Sequence, residues 1–202
     1  MNVGITGHQH LGSSETEAWV RKTLQQLIKD YRVTHGFTCL AAGADQLYAE
    51  LLVDQGIPYT PILPCRRYEE AFADTCARER FTRLRSAAPR IVWLDFDRPS
   101  PLAFFEAGKE VVDRSDMMFA VWDGKEARGF GGTADVVSYA FMHWIAVIHL
   151  DTTRLNVVTF RPRPIVLSLQ DVAGSIICRG SALTLKGSGS ASNIVVGDFL
   201  PK

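Results

Sequence analysis

Through its first 150 residues the chain alternates short runs rich in β-branched and aromatic residues with longer stretches of helical periodicity. That rhythm admits few folds, because strands separated by helix-length connections build a parallel sheet covered by helices. Six strands are expected, over residues 2–6, 37–42, 59–63, 90–96, 117–122 and 146–150. Between them, Ser14 and Glu17 form a capping box that opens a helix to about Asp30. Residues 44–55 follow as a helix with Leu47, Leu51 and Leu52 on one side and Gly56 closing it. Helices are also expected over 66–88, 102–114 and 136–144. The fifth strand, Met117 to Trp122, is apolar on both faces and so belongs at the sheet centre. Right-handed crossovers stack these elements as an α/β, Rossmann-like three-layer sandwich.

The rhythm fades after Asp151, which divides the chain into an α/β domain over 1–152 and a β-rich C-terminal attachment or arm over 153–202. Residues 156–160 can add a seventh strand before Arg161-Pro162-Arg163-Pro164 breaks any regular element. Short β-like runs follow at 165–169, 175–178, 182–185 and 193–196, separated by Gly and Ser, as in Lys186 to Ser190. Valine and isoleucine at this density favour order over a flexible tail.

Charge narrows the partners. Lys plus Arg and Asp plus Glu are both 22, so the chain has no diffuse attraction for a polyanion; a nucleic-acid partner is not expected, and a small anionic ligand is. Cys39, Cys65, Cys76 and Cys178 lie far apart without Cys-x-x-Cys spacing, and the five histidines form no zinc set. Free thiols in a reducing cytoplasm, no metal and no cofactor are the expectations. The start of the chain has no basic leader, and no run approaches the roughly 20 apolar residues of a membrane helix. A homo-oligomer is expected.

In an open parallel sheet, ligands lie beyond the carboxyl ends of the strands. Unusual residues fall there: Thr6, Gly7 and His8 after strand one; Gly43 and Asp45 after strand two; Trp122, Asp123 and Gly124 at the end of strand five. Above all, Gly129-Phe-Gly-Gly-Thr-Ala-Asp135 joins strand five to an apolar helix. Free amides and the positive end of a helix dipole favour a phosphate at such a turn, and Gly131 and Gly132 carry no side chain to hold it off. Thr133 can cap the helix or bond a phosphate oxygen. Each turn taken alone is equally explained by caps and tight geometry. The loop after Gly7 is too long for a dinucleotide fingerprint.

Gly4-Ile-Thr-Gly-His8, Ala42-Gly-Ala-Asp45, the run from Asp116 to Trp122 and Gly131-Gly-Thr133 together resemble the SLOG superfamily. This Rossmann-like group includes the cytokinin-activating phosphoribohydrolases and relatives of the DNA-processing protein DprA. The resemblance implies a nucleotide phosphate held at the glycine turn. In the phosphoribohydrolases a glutamate ending that turn and an arginine on the preceding helix cleave the base from ribose. Here the glutamate's place falls on Val136 and the arginine's near Ala107, so the phosphate site carries over and the catalytic pair does not.

Cleavage of an N-glycosidic bond builds positive charge on ribose, which a nearby carboxylate stabilises. Asp135 is the first candidate, beside the glycine turn, and Asp45 and Glu106 are the others; Asp135 is equally an ordinary helix-start aspartate. His8 can bond phosphate or donate a proton, and Trp122 can stack on a base or pack beneath the loop. Two classes remain: an enzyme acting at the glycosidic bond of a nucleotide or ribosyl compound, and a sensor that binds such a ligand unaltered and signals to a partner. A DprA-like role on single-stranded DNA ranks third on charge balance.

Overall fold

A computed structural model describes residues 1–125 and 129–161, together with strand backbone at 176–179 and 182–185. The first compact unit runs from Met1 to Pro162. Its sheet contains β1 (Asn2–Gly7), β2 (His35–Thr38), β3 (Tyr59–Leu63), β4 (Val92–Trp93), β5 (Met117–Trp122), β6 (Ala146–Asp151) and β7 (Asn156–Phe160). The spatial order is β4-β3-β2-β1-β5-β6-β7. All neighbours pair in parallel except β6 and β7, so the sheet continues past residue 152 through an antiparallel edge strand. The α/β, Rossmann-like expectation is met.

Five helices cover the sheet: α1 (Ser14–Asp30), α2 (Ala44–Asp54), α3 (Thr75–Ala87), α4 (Pro101–Asp113) and α5 (Thr133–Met142). Alternation along the strands sends Val3, Ile5, Phe119 and Val121 against α1 to α3, in a core with Val20, Leu24, Leu47 and Phe81. Met118, Ala120 and Trp122 face the other way, towards Ala107, Val111 and Val136 of α4 and α5. Every residue of β5 is buried, as its two apolar faces require.

Several boundaries move for local reasons. Ser13, not Ser14, caps α1, its hydroxyl accepting the Thr16 amide at 3.2 Å. The expected helix over 66–88 divides into a 3-10 turn, Tyr68–Ala71, and α3, which Asp74 opens by accepting from Cys76 and Ala77. Strand β2 stops at Thr38, where the Thr38 hydroxyl turns back to accept the Leu40 amide at 3.0 Å. In the second compact unit, Arg163–Lys202, strands β8 (Ile176–Arg179) and β9 (Ala182–Leu185) form an antiparallel hairpin. The expected runs at 165–169 and 193–196, and the stretch 186–190, lie outside the described residues.

Two glycines separate clash from strain. Gly43 has φ +78°, and a Cβ there would stand 2.4 Å from the His8 carbonyl oxygen; Gly56 has φ +67° with nothing within 4 Å. Gly56→Ala should cost about 1 kcal/mol, the left-handed penalty alone, and Gly43→Ala about 2 kcal/mol or more. Urea midpoints of the two variants check the difference, and equal losses would contradict it.

Candidate functional site

The carboxyl ends of β1, β2, β3 and β5 open into one cleft of about 670 Å³, within the range of small-molecule sites. Its floor is built by close backbone approach. A Cβ on Gly7 would lie 2.7 Å from the Val121 carbonyl oxygen and 2.6 Å from the Ala44 Cβ. The His8 amide donates to that same Val121 carbonyl at 2.9 Å, and the Ala44 amide donates to the His8 carbonyl at 3.2 Å. The loop after β1 is thereby held to both β5 and the start of α2.

Of the expected residues, Thr6, Gly7, His8, Asp45, Trp122, Asp123, Gly131, Gly132 and Thr133 line the cleft. Gly43 and Gly124, each at positive φ, are outside the lining. His8 Nε2 lies 3.6 Å from Asp123 Oδ1. Burial works to raise the Asp123 carboxyl, but a bond from the Lys125 amide and the charges of His8 and Lys125 outweigh it and hold it below the usual range.

Asp45 is the acidic group of greatest chemical interest. Its Oδ2 accepts from the Cys39 amide at 2.8 Å and the Thr38 hydroxyl at 3.0 Å, and the residue is 4% exposed. Burial pushes its carboxyl from 3.8 up to about 7, and bonds from Cys39, Thr38 and Ala41 offset only part of that.

The glycine turn differs from the expectation in one decisive respect. Asp135 Oδ2 accepts the Gly131 amide at 2.8 Å and the Gly132 amide at 3.3 Å, so the two glycine donors expected to hold a phosphate are taken by the protein's own carboxylate. Asp135 therefore braces the turn and does not line the cleft. Gly132 is the N-cap and Thr133 the first helical residue, so Thr133 does not cap. Among the described residues, the Thr133 and Ala134 amides have no hydrogen-bond acceptor, and both residues line the cleft. The donors open to an anion thus sit one to two residues further along the chain than the paired glycines.

Glu106 is also displaced from its expected role: its carboxylate meets Lys109 Nζ at 2.9 Å on α4, outside the cleft lining. Trp122 is 4% exposed, with its indole N–H donating to the Lys125 carbonyl at 3.0 Å and its ring 4.0 Å from that of His149. It packs beneath the loop and offers no face to a base. Ala107 and Val136, where the resemblance places arginine and glutamate, both line the cleft as apolar wall. Gly108 lets that wall close, since a Cβ there would meet Val136 Cγ2 at 2.5 Å.

Among the lining residues that escape the sequence reading, two stand out. Asp74 was concealed within a helix drawn too long, although Asp before Thr75 and Cys76 is a helix-start signal. Phe130, 58% exposed, was lost among the glycines around it. Arg66 pairs with Asp95 at 3.1 Å and Arg67 with Glu70; neither lines the cleft. Among the described residues no group of three His, Cys, Asp or Glu is placed to hold a metal, and no helix is long and apolar enough to cross a membrane. Cys39, Cys65 and Cys76 are free thiols.

DNA processing protein A from Streptococcus pneumoniae superimposes on 73% of the chain with a TM-score of 0.54 and 14% identity. The same protein from Helicobacter pylori, described for its single-stranded DNA binding mode, covers 76% with a TM-score of 0.56 and 17% identity. The chain shares the Rossmann-like fold of these two proteins. It spans about half of the S. pneumoniae protein, 49%, and 70% of the H. pylori one. No protein-family model matches the sequence. No curated protein matches it either. The expectation that sets nucleic acid aside is overturned: a protein described for its single-stranded DNA binding mode shares this fold.

Asp45 makes stability depend on pH. Between about pH 4 and 7 the folded chain keeps a proton that the unfolded chain has lost, so stability falls as pH rises through that window. The loss relative to Asp45→Asn should reach up to about 4 kcal/mol by pH 8. Denaturant titrations across the range check it; parallel profiles for the two proteins would remove the buried carboxyl from the account.

Proposed function

We propose that the cleft binds a nucleotide or a related phosphoribosyl or ADP-ribosyl ligand. The observation that carries this reading is the pair of unclaimed amides, Thr133 and Ala134, at the start of α5 and on the wall of a ligand-sized cleft. The phosphate sits over those two donors and the Thr133 hydroxyl, and Asp135 holds the turn in shape from behind. Thr6, Gly7 and His8 lie on the opposite lip, with the sugar between them and Asp45.

Two outcomes follow capture. In the first, Asp45 serves the ribose, as the one member of the Asp135, Glu106 and Asp45 set that lines the cleft, and the N-glycosidic bond is cleaved. In the second, the ligand is bound unaltered and its presence is signalled to a partner. The apolar pair Ala107 and Val136 supports the second, and the buried carboxyl of Asp45 supports the first. A single strand of DNA repeats the same phosphoribosyl unit, and the likeness to a single-strand-binding protein makes it a further ligand to test.

Thr133→Pro is the discriminating variant. Proline is well tolerated at the first helical position, and Gly132 before it has φ −81° and ψ 176°, an extended shape that accepts a following proline. The substitution deletes one amide donor and one hydroxyl without breaking the helix. Calorimetric titration with AMP, NAD, ADP-ribose and a short single-stranded oligonucleotide should show at least one ligand bound, and weakened about tenfold or more in Thr133→Pro, the worth of one charge-assisted hydrogen bond. Free base measured alongside separates turnover from capture, with turnover expected to vanish in Asp45→Asn. Unchanged affinity in Thr133→Pro would place the phosphate elsewhere.

A further inference from the structure

The aromatic residues around the cleft are not equivalent. Tyr68, Phe72 and Trp122 are 4–5% exposed and spend their ring faces on neighbours: Tyr68 on Phe72 and Phe81, Trp122 on His149. Phe104 is partly buried against the same cluster. Phe130 differs from all of them, because it lines the cleft with 58% of its surface open to solvent. An exposed ring is ordinary on an open surface; on the wall of a concave cleft it is a surface offered to whatever enters.

The ring is also held. Gly131 has φ +85°, and a Cβ there would lie 2.4 Å from the Pro101 carbonyl oxygen, so the turn after Phe130 is seated directly on the start of α4. Phe130 itself rests against Phe105 of α4, with ring centroids 4.9 Å apart and planes inclined by 57°. That contact supports the ring, and more than half of the residue stays open to solvent. Phe130 stands three residues before Thr133, on the same turn that would seat a phosphate.

We propose that Phe130 is the platform on which the flat aromatic base of the ligand stacks. This rests on the nucleotide reading above and adds to it the determinant of the base. A stacking face without a hydrogen-bonding edge tolerates purines and pyrimidines alike, so the cleft distinguishes ligands with a base from those without one more sharply than it distinguishes one base from another.

The test compares AMP with ribose 5-phosphate, which keeps sugar and phosphate and lacks the base, on wild type, Phe130→Ala and Phe130→Trp. Wild type should bind AMP more tightly than ribose 5-phosphate. Phe130→Ala should weaken AMP about tenfold and leave ribose 5-phosphate within about twofold, and Phe130→Trp should keep AMP affinity. Thermal melting of each variant verifies folding, and the tryptophan variant preserves the test if alanine disturbs the turn. Equal weakening of both ligands, or no weakening of AMP, overturns the stacking role while leaving ligand capture intact. Binding of neither ligand by wild type would remove the mononucleotide form of that reading and the platform with it.

Discussion

The parallel pairing of β1 with β5 is the contact on which the molecule turns. Chain order sends β1 to β2 on one side and places β5 on the other, with α1 to α3 on one face and α4 and α5 on the opposite face. A crevice must open where the connections diverge, above the carboxyl ends of these two strands. Gly7 permits the approach, and the His8 amide on the Val121 carbonyl fixes it. The loop after β1, the start of α2 and the glycine turn before α5 all reach the cleft from this seam or a strand beside it.

Helix starts dominate the chemistry of that crevice, and each has its own acid. Asp45 lies at the start of α2, Asp74 at that of α3 and Asp135 at that of α5. The three do different things. Asp74 and Asp135 spend their charge on amides of their own helix starts or turns. Asp45 instead reaches back to the end of β2, and burial there outweighs the bonds it accepts. One residue type in one structural position therefore yields two braces and one carboxyl poised near neutrality.

The architecture was legible because strand and helix periods differ and β5 is apolar on both faces. The place of the cleft followed from topology. What the sequence hid was the direction of side chains over a few residues. Asp135 has the position of a ligand-facing acid, yet the amides three and four residues before it are within reach of a helix-start carboxylate, and that local contact prevailed. Trp122 ends a strand at the cleft, but strand alternation aims its ring at His149 beneath the loop. Overall charge likewise could not set nucleic acid aside, since it averages over a surface that a ligand never samples as a whole.

Gly108 and Val136 join α4 to α5 at a notch where one helix carries no side chain and the other fills the space. The sequence resemblance aligns this valine with an acidic group of the phosphoribohydrolases, and here the position holds a wedge between two helices. Placing an acid there would loosen the joint that shapes the wall. In this chain, the cleft's enclosure and an acid at this position would compete for a single side chain.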